Sequence, residues 1–153
     1  MAFATHILVP TDFSEASRLA IRAARMLAER LGARITLLHV HDPDALRPPA
    51  HVAMSPDRQH DLDAEVRAAG ERRLDEIRDE VAKSVKRVDT EVVDHPSAAN
   101  AIVEQAEELG ADLVVIATHG RTGLKHLLIG SVAERVVRHC SVPVLTLRSH
   151  AED

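Results

Sequence analysis

Short apolar runs alternate with longer amphipathic stretches along all 153 residues, and this alternation constrains the fold more than any other feature. Strand-like segments are expected at residues 7–10, 35–40, 88–93, 113–117 and 142–147. Helix-like segments fill the intervals at 14–31, 57–85, 97–109 and 131–139. In the first of these, Ala16, Leu19, Ala20, Ala23, Leu27 and Leu31 recur along one face at the helical period. The second is highly charged, with Leu62, Val66, Leu74, Ile77 and Val81 as its apolar stripe. Strict alternation with right-handed crossovers produces a parallel sheet covered by helices on both faces. The expected class is α/β, an open five-stranded sheet in one domain over residues 1–153, a length that suits a single core.

Composition agrees. The chain has no Trp or Tyr and two Phe, so its core relies on Val, Ile, Leu and Ala, as buried parallel sheets do. A net charge of −5 argues against nucleic-acid binding, which normally leaves a basic footprint. No apolar run approaches the roughly 20 residues of a membrane span. The N-terminus leads directly into the first strand, leaving no room for a signal peptide, and the single cysteine, Cys140, excludes an internal disulfide. A cytoplasmic location is expected.

Two segments echo each other. Residues 28–35 read AERLGARI and residues 106–113 read AEELGADL. Each ends a helix at a glycine able to take the left-handed C-cap conformation, and a strand follows. We read them as two similar helix stops chosen for one geometry rather than as a repeat. Residues 41–56 differ, holding Pro43, Pro48, Pro49 and Pro56 without an apolar period. They form a flexible loop after a strand C-terminus, serving as a lid or partner contact, or as a plain surface connection. Residues 149–153 are a C-terminal tail.

Function is concentrated in residues 117–131, ATHGRTGLKHLLIGS, between the fourth strand and the last helix. A glycine-punctuated loop there aims backbone N–H groups and the positive helix end at an anion. Neither a Walker A motif nor a G-x-G-x-x-G fingerprint occurs. Instead Gly120 and Gly130 stand nine residues apart, and Ser131 follows. Ser131 with Glu134 makes an S-x-x-E capping box, and its hydroxyl can equally donate to a phosphate. Arg121 and Lys125 add positive charge, and His119 can donate to a phosphate or ribose or make a structural hydrogen bond. Asp12 with Glu15 fits a D-x-x-E capping box for the first helix. If strand order reverses between the first and fourth strands, Asp12 also faces Gly120 across the switch-point crevice.

The set Pro10-Thr11-Asp12-Phe13-Ser14, the His39-Val40 strand end, the A-x-x-G-x9-G-S loop and Val142-Pro143-Val144-Leu145 closely resembles the universal stress protein family. The resemblance spans nearly the whole chain and implies strand order 3-2-1-4-5, a Rossmann-like arrangement, with ATP binding in the subset that keeps the glycine loop. Carried over by position, Asp12 and the Val40 backbone hold adenosine, and Ala117 and Gly120 line the ribose and phosphates. Gly130, Ser131 and Val132 grip phosphate oxygens, while a Mg²⁺ or Mn²⁺ ion is held mainly by the phosphates. Pro10, Thr11, Ile116, His119 and Arg121 complete the candidate site. Ala117 departs from the family pattern, which begins its loop with glycine.

No triad, H-E-x-x-H or paired-carboxylate signature appears, and the ten histidines are dispersed, so neither a catalytic residue nor a protein-built metal site is expected. The resulting expectation is a nucleotide-dependent regulatory module of the stress response with slow ATP hydrolysis at most. The alternatives are an enzyme of nucleotidyl or phosphoryl transfer on a related scaffold, or a member that acts through protein contacts without ATP. The apolar closing strand, residues 142–147, lacks a charge until Arg148 and is expected to pair a homodimer across an open edge. A downstream protein partner is expected but not named by the sequence.

Overall fold

A computed structural model describes residues 3–119 and 129–148. The order is β1 (His6–Pro10), α1 (Glu15–Leu31), β2 (Arg34–His41), α2 (Pro56–Val81), β3 (Val88–Asp94), α3 (Ala98–Glu108), β4 (Leu113–Ala117), α4 (Ser131–His139) and β5 (Val144–Leu147). All strand pairs are parallel, in the order β3-β2-β1-β4-β5. The expected class and strand order hold. No helix among the described residues is long and apolar enough to cross a membrane.

Alternation along the strands divides the core in two. Ile7, Val9, Ile35, Leu37, Leu113 and Val115 face one side, where α1 and α2 contribute Ala20, Ile21, Ala24, Ala28 and Leu74. Leu8, Leu38, Val114 and Ile116 face the other, against Ala99, Ile102 and Ala106 of α3 and Ala133 and Val136 of α4. Alanine dominates the helix contributions, which lets the helix backbones sit close to the sheet.

Helix boundaries follow local chemistry. Ser14, Ser55 and Ser97 cap α1, α2 and α3, each accepting from the N–H three residues on. Pro56 opens α2, where its missing N–H costs nothing. Gly32 and Gly110 take φ of 68° and 64° after α1 and α3. Behind each, the N–H of Ala33 reaches Ala28 O and that of Ala111 reaches Ala106 O. The sequence echo is thus one helix stop built twice.

Several details differ from expectation. The buried face of α1 is Ser17, Ala20, Ile21, Ala24 and Ala28, rotated from the predicted stripe, because small residues seat against the sheet while Leu27 and Leu31 flank it. α2 ends at Val81 rather than 85, and its buried residues are Gly70, Leu74 and Val81; Val66 is exposed. β5 starts at Val144, two residues late, after Pro143, which has no N–H for the ladder. Residues 42–55 carry no helix or strand and leave the same sheet end as the loop after β4.

Candidate functional site

β1 and β4 run side by side only at Ile7–Leu113 and Leu8–Val114. β1 then stays with β2 through Pro10, while β4 stays with β5 through Ala117. The chain leaves β1 toward β2 and leaves β4 toward β5, on opposite sides of the β1–β4 seam, so the strands part at their C-terminal ends, the place where open α/β sheets hold ligands. The gap is a cavity of about 340 Å³. Pro10, Thr11 and Asp12 form one wall, Val40 another, and Ile116, Ala117 and His119 a third. Gly130, Ser131 and Val132 close it from the start of α4. Ten predicted site residues therefore surround one space. Gly120 and Arg121, with Lys125, lie outside the described residues.

The end of α4 facing the cavity carries the clearest chemistry. Gly130 is the N-cap and supplies no side-chain oxygen to the first turn. The N–H groups of Ser131, Val132 and Ala133 have no carbonyl partner inside the helix, and all three residues line the cavity. With the helix dipole they form a cradle for negative charge. Gly130 donates its own N–H to Thr118 O, and a Cβ placed on Gly130 would lie 2.5 Å from that oxygen. Only glycine lets α4 begin this close to β4. The predicted S-x-x-E capping box is absent: Ser131 is the first helical residue, not the cap, so its hydroxyl stands at the cavity mouth. Glu134 pairs instead with Arg138.

The β1–α1 turn is also built differently from expectation. Asp12 does not cap α1. Its Oδ1 accepts from Ser14 N at 3.0 Å, an Asx turn, and Ser14 takes the cap, accepting from Ser17 N at 3.2 Å. Thr11 Oγ1 accepts from Phe13 N at 3.0 Å and lies 3.0 Å from Ser17 Oγ, which donates to Ser14 O at 2.8 Å. These bonds hold Phe13 at φ 65°, a left-handed conformation that costs a side-chain-bearing residue about 1–2 kcal/mol. Phe13 thereby reaches His39, with ring centroids 4.5 Å apart. Nδ1 of His39 lies 3.0 Å from Thr11 O, and Gly70 of α2 backs the ring.

Sequence reading missed Ser17, Leu38, His39, Ala98, Ile102, Thr118 and Ala133 as cavity residues. His39 had a signal, since a histidine closing a strand at the ligand end breaks the apolar run. Thr118 also had one, a hydroxyl residue directly before the predicted His119, and in the structure its Oγ1 lies 3.1 Å from His119 Nδ1. The others read as ordinary core. Ala117 has no positive φ, the sole such non-glycine among the described residues being Phe13. Its departure from glycine is one of space, not backbone strain. No group of three or more His, Cys, Asp or Glu suited to a metal occurs among the described residues.

A parallel sheet opening between β1 and β4, with an uncapped helix N-terminus across the gap, defines a doubly wound α/β protein with its ligand crevice at the switch point. The chain belongs to the universal stress protein family, which matches residues 4–148. It is 32% identical over 143 residues to the universal stress protein MJ0531 of Methanocaldococcus jannaschii, covering 93% of this chain and 81% of that one. The structure of MJ0577 from the same organism superposes with a TM-score of 0.85 at 27% identity, covering 99% of this chain and all of the other. A universal stress protein of Arabidopsis thaliana, solved with AMP bound, shares the fold at a TM-score of 0.64 and 18% identity, covering 96% and 93% of the two chains.

Proposed function

We propose that this chain binds an adenine nucleotide, ATP in the first instance, in the β1–β4 cavity and acts in the cytoplasm as a stress-response module governed by that occupancy. The observation that carries the reading is the uncapped first turn of α4, seated against Thr118 through Gly130. The AMP-bound relative supports the ligand class. In this reading Asp12 and the Val40 backbone hold adenosine, Pro10, Thr11, Ile116 and Ala117 wall the base and ribose, and His119 donates to ribose or phosphate. Gly130, Ser131 and Val132 receive phosphate oxygens, with Gly120 and Arg121 contributed by the preceding loop. A Mg²⁺ or Mn²⁺ ion would be held mainly by the phosphates themselves and would offset their charge.

The chain lacks Trp and Tyr, so co-purified nucleotide would dominate absorbance near 260 nm. Heat extraction and chromatography then identify it, and calorimetry with ATP, ADP and AMP, each with Mg²⁺, ranks the phosphates. An empty preparation that gives no heat with any of the three overturns the proposal.

The same reading includes a homodimer across residues 142–147. β5 is the sheet edge, and Leu145 on it is 39% exposed. Leu145→Lys should give monomers by light scattering after size exclusion; a mutant that remains dimeric removes β5 from the interface.

A further inference from the structure

A second cavity, of about 360 Å³, lies on the α1–α2 face. Its floor is aliphatic and aromatic, made by Ile21, Ile77, Val81 and Phe13. Its rim carries four arginines, Arg18, Arg22, Arg25 and Arg73, against two glutamates, Glu76 and Glu80. That concentration of positive charge stands out on a chain of net charge −5. Two of the arginines are already engaged: Arg18 with Glu15 at 3.3 Å, and Arg25 with Glu29 at 3.1 Å and Ser84 at 2.7 Å. Glu80 is likewise engaged, with Lys83 at 2.5 Å. Arg22 has no carboxylate partner among the described residues, and Arg73 lies with its guanidinium 4.3 Å from the Phe13 ring centroid.

Arg18, Arg22 and Arg25 of α1 and Arg73 of α2 line one groove, and Arg22 and Arg73 make no ion pair there among the described residues. A guanidinium fork over an apolar floor suits a ligand with an anionic head and an aliphatic body. The head meets the guanidinium groups, and the body covers Ile77 and Phe13. We propose that the α1–α2 groove is a second ligand site, distinct from the β1–β4 cavity, for an amphipathic anion carrying a carboxylate or phosphate on an aliphatic chain. Its position is not neutral for the first cavity. Thr11 lines both spaces, and Phe13 joins the floor of one to His39 in the wall of the other.

The site is tested on the full-length protein with octanoate and octyl phosphate as probes, titrated by calorimetry and by chemical shifts of the backbone amides and the arginine Nε–Hε groups. Saturable binding of one probe molecule per chain is expected, with the shifts on Arg22 and Arg73. Acetate and inorganic phosphate, which lack the body, and octyltrimethylammonium, which reverses the head, should bind at least about tenfold more weakly. Arg22→Glu, on an exposed helix position, should weaken the probe by about tenfold or more, and Arg73→Glu should do the same. Octanoate and octyl phosphate both failing to bind overturns the proposal. So does binding that neither variant weakens, or binding whose shifts fall on the β1–β4 cavity. None of these readouts requires nucleotide, so the result is independent of the ATP reading.

Discussion

The two ends of this sheet are made from the same strands, yet they solve opposite problems. At the N-terminal end β1 and β4 are paired, and side-chain hydrogen bonds tie the seam together. Asp112 accepts from Thr5 N, Thr5 Oγ1 and His6 N at 2.7–3.1 Å. Arg34 donates to His6 Nδ1 at 3.0 Å, and an arginine can only donate, so Nε2 carries the proton it gives to Thr36 Oγ1 at 2.7 Å. Burial first, and the Arg34 charge second, hold His6 below its ordinary pKa. Burial works to raise Asp112, but the hydrogen bonds from Thr5 and His6 outweigh it and hold the carboxyl below its usual range. At the C-terminal end the strands part, a helix starts without a side-chain cap, and Phe13 sits in a left-handed conformation. One end closes the seam, and at the other α4 starts on a glycine that supplies no side-chain cap. The difference lies in side chains as well as loops: His6, Arg34 and Thr36 of the strands knit the N-terminal end together with Thr5 and Asp112.

Substitutions separate the two ends. The largest effect is expected from Gly130→Asp, which puts a Cβ against Thr118 O and a carboxylate in the anion cradle. Nucleotide affinity should fall by about 100-fold or more by calorimetry, the equivalent of about 3 kcal/mol. Next, Asp112→Ala leaves the Thr5 and His6 donors without their acceptor. It should cost about 2–3 kcal/mol of stability in urea denaturation while nucleotide affinity is unchanged. If affinity falls with stability, the two ends are not independent.

The pH dependence comes third. His6 is held neutral in the fold, so the unfolded chain binds more protons below its pKa of about 6.5. Stability should fall as pH drops below that value, and the Asp112 contribution should be lost further down, below about 3.9. Urea midpoints measured from pH 8 to pH 5 should decline, and His6→Gln should flatten that decline whatever its effect at pH 8. The smallest effect belongs to Ala117→Gly. Because Ala117 has no positive φ, removing its methyl relieves only space, and affinity for ATP should rise by less than about tenfold.

Local pattern accounts for what the sequence revealed. Strand–helix alternation named the α/β sheet, and the two AERLGA-like helix stops were legible because one left-handed glycine answers one geometry. Strand order came through the resemblance rather than from the apolar pattern. At the site, Gly130 and Asp12 were visible, but their hydrogen bonds were not. Asp12 and Ser14 are both good cap residues two positions apart, and the choice between them depends on Phe13 adopting φ 65°. Ser131 misled for the same reason, since the cap fell one residue earlier on a glycine. The partners of His39 and of the arginines in the α1–α2 groove were beyond a local reading. Their neighbours come from helices and strands roughly 30–50 residues away, and only the crossover connections bring them together.

Helix α2 carries a consequence for how the molecule comes apart. Its first buried residue is Gly70, so the stretch from Pro56 onward, roughly 20 Å of helix, has no side chain in the core. What ties this stretch down is polar contact: His41 Nε2 lies 2.7 Å from Asp63 Oδ1, and Arg67 donates to Asp94 Oδ1 at 3.0 Å and to Val92 O at 3.3 Å. Together with residues 42–55 it should open as one unit without breaching either core cluster. Its amides should exchange with deuterium well before those of β1 or β4, and a protease should nick the chain there first. High salt should hasten both, leaving a cut protein whose five-stranded sheet is intact.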